Sequence, residues 1–74
     1  MMGNAIHLLN VVALLDDLPE RGLRRGQVGT VVENLAPDVF EVEFADNVGR
    51  TYASLALRES QLMVLTYEPV SAAP

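Results

Sequence analysis

Apolar and polar residues alternate most regularly over Val39 to Ala45 (VFEVEFA). Phe40, Val42 and Phe44 fall on one side there, and Glu41 and Glu43 on the other. A period of two is the signature of a strand with one face buried. Val28 to Asn34 (VGTVVEN) is rich in β-branched residues and reads as another strand. Val11 to Leu15 (VVALL) is an apolar run of strand length. The wider stretch Ala5 to Leu15 also fits a helix with Leu8, Val12 and Leu15 on one face, and periodicity alone does not separate the two over so few residues. The pattern that follows favours the strand. Arg50 to Ala56 and Leu62 to Leu65 complete a set of five extended segments.

The connections are punctuated by glycine and proline. Asp16 to Gln27 is a long polar loop broken by Pro19, Gly22 and Gly26, residues that interrupt regular structure. Leu35 to Asp38, with Pro37, reads as a turn. Asp46 to Gly49 (DNVG) reads as a tight hairpin in which Asn47 and Gly49 accept a positive φ. Leu57 to Gln61 predicts a single 3-10 turn. Met1 to Asn10 is a lead-in with a helical turn capped by Asn4, and Thr66 to Pro74 a proline-punctuated tail. One domain over residues 1–74, with its core over 8–65, is the expected organisation. Five short strands close most economically into a small barrel, which leaves little exposed edge. The predicted fold is therefore all-β, a five-stranded SH3-like barrel with a long first loop and a tight hairpin between its third and fourth strands.

Composition narrows how such a fold is held. A chain of 74 residues buries only about 60% of the surface its unfolded form exposes. With no cysteine, neither a disulfide nor a thiolate metal site is available. Half of the residues are apolar, which leaves dense packing or self-association, and a homo-oligomer is expected. Ten acids oppose five bases, all arginine, for a net charge of −5. That balance opposes a phosphate backbone, whose recognition rests on a basic face, and suits a basic protein partner. The Ala5–Leu15 run is interrupted by His7 and Asn10 and preceded by no basic residue, unlike a secretory signal. It also falls short of the roughly 20 residues that cross a bilayer. A cytoplasmic protein with no membrane attachment is expected.

Candidate chemistry is sparse. His7 is the single histidine, placed among apolar residues with no cysteine, so it reads as structural or merely exposed rather than as a ligand. Asp16, Asp17 and Glu20 read as a solvated loop with aspartates capping turns; their spacing fits no calcium loop. No catalytic, cofactor-binding or metal-binding residue is assigned. Glu41 and Glu43 form either an acidic face for an arginine-rich partner or a charge that discourages edge-to-edge aggregation. Arg21, Arg24 and Arg25 could grip an anion. Internal pairing with Asp16, Asp17 and Glu20 is the expected alternative. Tyr52 is either half-buried or an exposed interface aromatic beside the acidic third strand. The candidate partner-binding residues are thus Glu41, Glu43, Tyr52, Arg24 and Arg25. Those expected to matter for folding are Gly26, Gly29, Phe40, Val42, Phe44 and Gly49.

Two resemblances follow from these residues. The glycines three apart in LRRGQVGTVVE resemble the KOW motif of SH3-like domains, with Gly26, Gly29 and Val31 carrying the likeness. More extensively, LLNVVALLDDLPERGLRRGQVGTVVE, VFEVEFADNVGRTYASLAL and QLMVL resemble a family of small bacterial proteins, domain of unknown function 4926, over roughly Leu8 to Leu65. Asn10 stands where that family's pattern suggests an acid. The resemblance implies an SH3-like barrel and imports no activity. The expected function is a non-enzymatic protein-interaction or self-assembling module. The alternatives are an immunity-like protein that masks a basic toxin, and a KOW-like nucleic-acid binder using Arg21, Arg24 and Arg25.

Overall fold

A computed structural model describes residues 6–69. The proposed cap Asn4 and the last part of the tail, residues 70–74, lie outside the described residues. Five strands, β1 (Val11–Leu14), β2 (Val28–Ala36), β3 (Val39–Ala45), β4 (Thr51–Arg58) and β5 (Leu62–Val64), form one antiparallel sheet in the order β4-β3-β2-β1-β5. The hydrogen-bonded order does not close on itself: β4 and β5 are its two edges. Single 3-10 turns stand at Pro19–Arg21 and Glu59–Gln61.

The sheet departs from the sequence-based expectation at several boundaries. Residues 11–14 are a strand and not part of a helix, and the segment before them makes a turn at Leu8 and Leu9. Leu35 and Ala36 belong to β2, because Ala36 pairs with Val39 and leaves only Pro37 and Asp38 to turn the chain. Leu57 and Arg58 belong to β4, where they pair with Phe40 and Val39, so the 3-10 turn begins later, at Glu59. Arg50 precedes β4, and Leu15 and Leu65 lie just past the ends of β1 and β5. The first loop is more structured than a polar linker: Leu18 bridges Leu23, and Leu23 is buried.

The inner face gathers Val12 and Leu14 of β1, Val31 of β2, Phe40, Val42 and Phe44 of β3, Leu55 and Leu57 of β4, and Leu62 of β5 into one buried cluster, joined by Leu23 from the first loop. Gly29 is the hinge of this packing. It pairs with Val12 on one side and Phe44 on the other. A Cβ there would stand 2.7 Å from Val42 Cγ1, 2.9 Å from the Glu43 carbonyl oxygen and 3.0 Å from Phe44 Cδ2. Only glycine allows so close an approach of β2 to β3. Gly26 (φ +95°) and Gly49 (φ +89°) hold left-handed turns that suit glycine, whereas Asn47 does not take a positive φ. The hairpin at Gly49 is closed instead by Asp46, whose carboxylate accepts from the Val48 and Arg50 amides at 3.0 and 2.9 Å.

One residue breaks the glycine rule. Leu9 has φ +70° in the turn between His7 and Asn10. Its amide donates to the Val31 carbonyl at 2.7 Å, while the Val31 amide donates to the Asn10 carbonyl at 2.9 Å. Two residues thus oppose one, a bulge of the kind that places a glycine in the left-handed position.

Candidate functional site

The outward face of the sheet is sorted by chemistry. Over β3 it carries Glu41 and Glu43, with Glu43 exposed. A third acid joins them from β2. Regular alternation from the inward Val31 would turn Glu33 to the core side. The ladder instead shifts between Val31 and Glu33, so that Glu33 pairs directly with Glu41. The bulge at Val32 reverses the parity of the strand and adds an exposed acid to the row. None of these three glutamates forms an ion pair with a described residue. Glu41 accepts a hydrogen bond from the Ser54 hydroxyl of β4 at 2.7 Å, so its carboxylate leans toward the β4 edge.

Over β1 and β5 the same face is apolar. Ala13 pairs with Val28 on one side and Met63 on the other. Val28 and Met63 are about half exposed, yet Ala13 between them is 7% exposed and stands apart from the inner cluster. Leu15 extends the strip past the end of β1.

The other candidate residues meet at the first loop. Asp17 accepts from the Arg25 amide at 2.8 Å, and the Gln27 side-chain oxygen accepts from the Arg24 amide at 2.7 Å. The side-chain nitrogen of Gln27, Nε2, then donates to the Tyr52 hydroxyl at 3.0 Å. Tyr52 is the extra residue of a bulge in β4, and its ring centroid lies 6.4 Å from that of buried Phe44. It is half exposed and tied to the first loop through Gln27. Gln27 thus links Tyr52 of β4 to the loop that carries Arg24 and Arg25, while Glu41 and Glu43 lie on β3.

The expected pairing of Arg21, Arg24 and Arg25 with Asp16, Asp17 and Glu20 does not form: none of these arginines makes an ion pair with a described residue. Asp17 instead satisfies a backbone amide, whose direction is fixed by the turn and needs no ordering of a long side chain. An open cleft of about 370 Å³ lies here, lined by Asp17, Pro19, Gly22, Leu23 and Arg24. His7 is exposed, its backbone amide donating to Asn10 Oδ1 at 2.7 Å. Tyr67 is exposed at the start of the tail. Among the described residues no group of three or more His, Cys, Asp or Glu side chains is placed to hold a metal. No helix among them is long and apolar enough to cross a membrane.

These features define a small antiparallel all-β domain whose outward face divides into an acidic half and an apolar half. Residues 8–64 match the family described as a domain of unknown function (DUF4926), and the chain belongs to that family. No curated protein and no solved structure matches it.

Proposed function

We propose that this domain is a non-enzymatic protein-interaction module, working in the cytoplasm, that receives a basic protein partner on the acidic outward face of β3. The observation that carries the reading is the row Glu33, Glu41 and Glu43, three acids on one face without a described counter-ion. A row of like charges in register costs stability unless something else favours it, and an opposite surface on a partner would supply that and speed encounter. The strand order, with β1 between β2 and β5 and a long first loop, supports an SH3-like barrel as the finer description, and the close approach at Gly29 supports the KOW-like reading of the glycine pair. A toxin-masking role is a special case of the same acidic surface.

The test is affinity capture from the native host with the wild-type protein and with the Glu41→Gln/Glu43→Gln variant, together with light scattering on the pure protein. A basic protein retained by the wild type and lost by the variant is the expected result. Equal capture by both would refute the acidic face, and a pure homo-oligomer with no captured partner would favour self-assembly. Arg24 and Arg25, which form no ion pair with a described residue, favour a second reading, an anion grip at the first loop. It predicts nucleic-acid binding at low salt, where phosphate contacts are strongest; no binding there ends it.

A further inference from the structure

The terminal strand β4 (Thr51–Arg58) pairs with β3 along one side only, so the outward backbone donors and acceptors of alternate residues have no strand partner among the described residues. Natural edges are commonly blunted by lysine, proline, bulges or brevity. This one has eight residues, no lysine and no proline, with its one charge at Arg58. Its bulge lies at Tyr52, and from Ala53 to Arg58 the register with β3 runs without interruption. Leu55 and Leu57 are buried inward, so one face of the strand is held on the core while no described strand pairs with its rim.

We propose that this edge takes up an extended basic segment of a partner protein as an added strand. The inference rests on the acidic-face reading above and names how the partner is held. Outward from β4 stand Ser54 and Ala56, both small and exposed, directly in register with Glu43 and Glu41 on β3. A strand added beside β4 would run two strand spacings, about 10 Å, from β3. Basic side chains on its outward face would cross the low positions at Ser54 and Ala56 to reach the two carboxylates. Glu41 already leans that way, toward the Ser54 hydroxyl. Main-chain hydrogen bonds would give the affinity and the alternate side chains the selection, as in other strand-addition complexes. A second copy is the poorer occupant. Pairing β4 with its own mate would put two acidic rows on one continuous face, on chains that each carry −5. A nucleic acid meets the same charge and has no ladder to offer.

The experiment uses the isotope-labelled full chain and two synthetic peptides of alternating lysine and valine, one ordinary and one N-methylated throughout. Both carry the same charge, and only the first can form a ladder. Expected are shifts and slowed hydrogen exchange at the Ala53–Leu57 amides with the ordinary peptide. The methylated peptide should bind at least about tenfold more weakly, the loss of one or two hydrogen bonds. Equal binding of both peptides would overturn the edge proposal while leaving the acidic face standing, and binding of neither would remove both. Concentration-dependent changes at the same amides without peptide would assign the edge to a second copy and overturn the proposal as well.

Discussion

The two halves of the sheet solve the same packing problem in opposite ways. β3 has seven residues, all seven paired with β4 and Val39 to Phe44 paired with β2 as well. β1 has four residues, and three of them pair with each neighbour. Where the ladder is long, one face of side chains suffices: Phe40, Val42 and Phe44 are buried, and the outward positions are free to carry charge. Where it is short, apolar contact appears on both faces, with Val12 and Leu14 inside and Ala13 covered by Val28 and Met63 outside. The lesson is that outward charge is affordable only where backbone pairing and one buried face already hold the strand. The acidic face stands on the part of the fold that needs least from it.

The largest effect should come from the long half. Phe44 is fully buried, paired with Gly29 and Ala53. Phe44→Ala should cost about 3–5 kcal/mol, a large share of the stability such a domain has. Urea unfolding would read this, and a loss under about 1 kcal/mol would mean that β3 is not the centre of the core. Next comes the hinge between the halves. Gly29→Ala should cost about 1–3 kcal/mol or more, because the new methyl group meets the Glu43 backbone as well as two packed side chains. Unchanged thermal stability would show that β2 can move away from β3.

On the short half, Leu9→Gly should stabilise the protein by about 0.5–1 kcal/mol. The left-handed backbone charges leucine roughly 1–2 kcal/mol, and glycine's extra chain entropy takes back part of that. Destabilisation in a chemical melt would mean that the Leu9 side chain, although exposed, packs against something that matters. The smallest effect belongs to the acidic row. Glu33→Gln removes one of two like charges placed directly opposite and should stabilise by about 0.2–1 kcal/mol at low salt. The gain should fade as added salt screens the pair. A gain that ignores salt would point away from charge repulsion.

Much of the fold was legible because side-chain periodicity and glycine placement report directly on burial and backbone freedom. The alternation in VFEVEFA marks the two faces of β3, and Gly26, Gly29 and Gly49 stand where the chain turns or crowds. The boundaries that the sequence does not place all depend on pairing. Leu57 and Arg58 look like the start of a helical turn until Phe40 and Val39 claim them as ladder partners. Leu35 and Ala36 look like part of a proline turn until Ala36 pairs with Val39.

The candidate site was less legible, for the same reason. Glu33 joins Glu41 only through a bulge at Val32, and nothing in VGTVVEN announces it. Acids near in sequence suggest pairing for the arginines of the first loop. Nearness does not fix direction, and Asp17 is aimed at the Arg25 amide. Tyr52 could be placed on β4 from sequence, but not its link to Gln27, which lies 25 residues away.

Gln27 has both ends of its amide engaged, one by the Arg24 backbone and the other by the Tyr52 hydroxyl. It acts as a strut between the rim of the sheet and the loop that displays the arginines. A load applied to the start of β4 need not pass through the hydrophobic interior to be felt there. If an incoming chain pulled Tyr52 aside, the strut would lose its far anchor and the Arg24 turn would loosen, so occupancy at one border would be announced at the other.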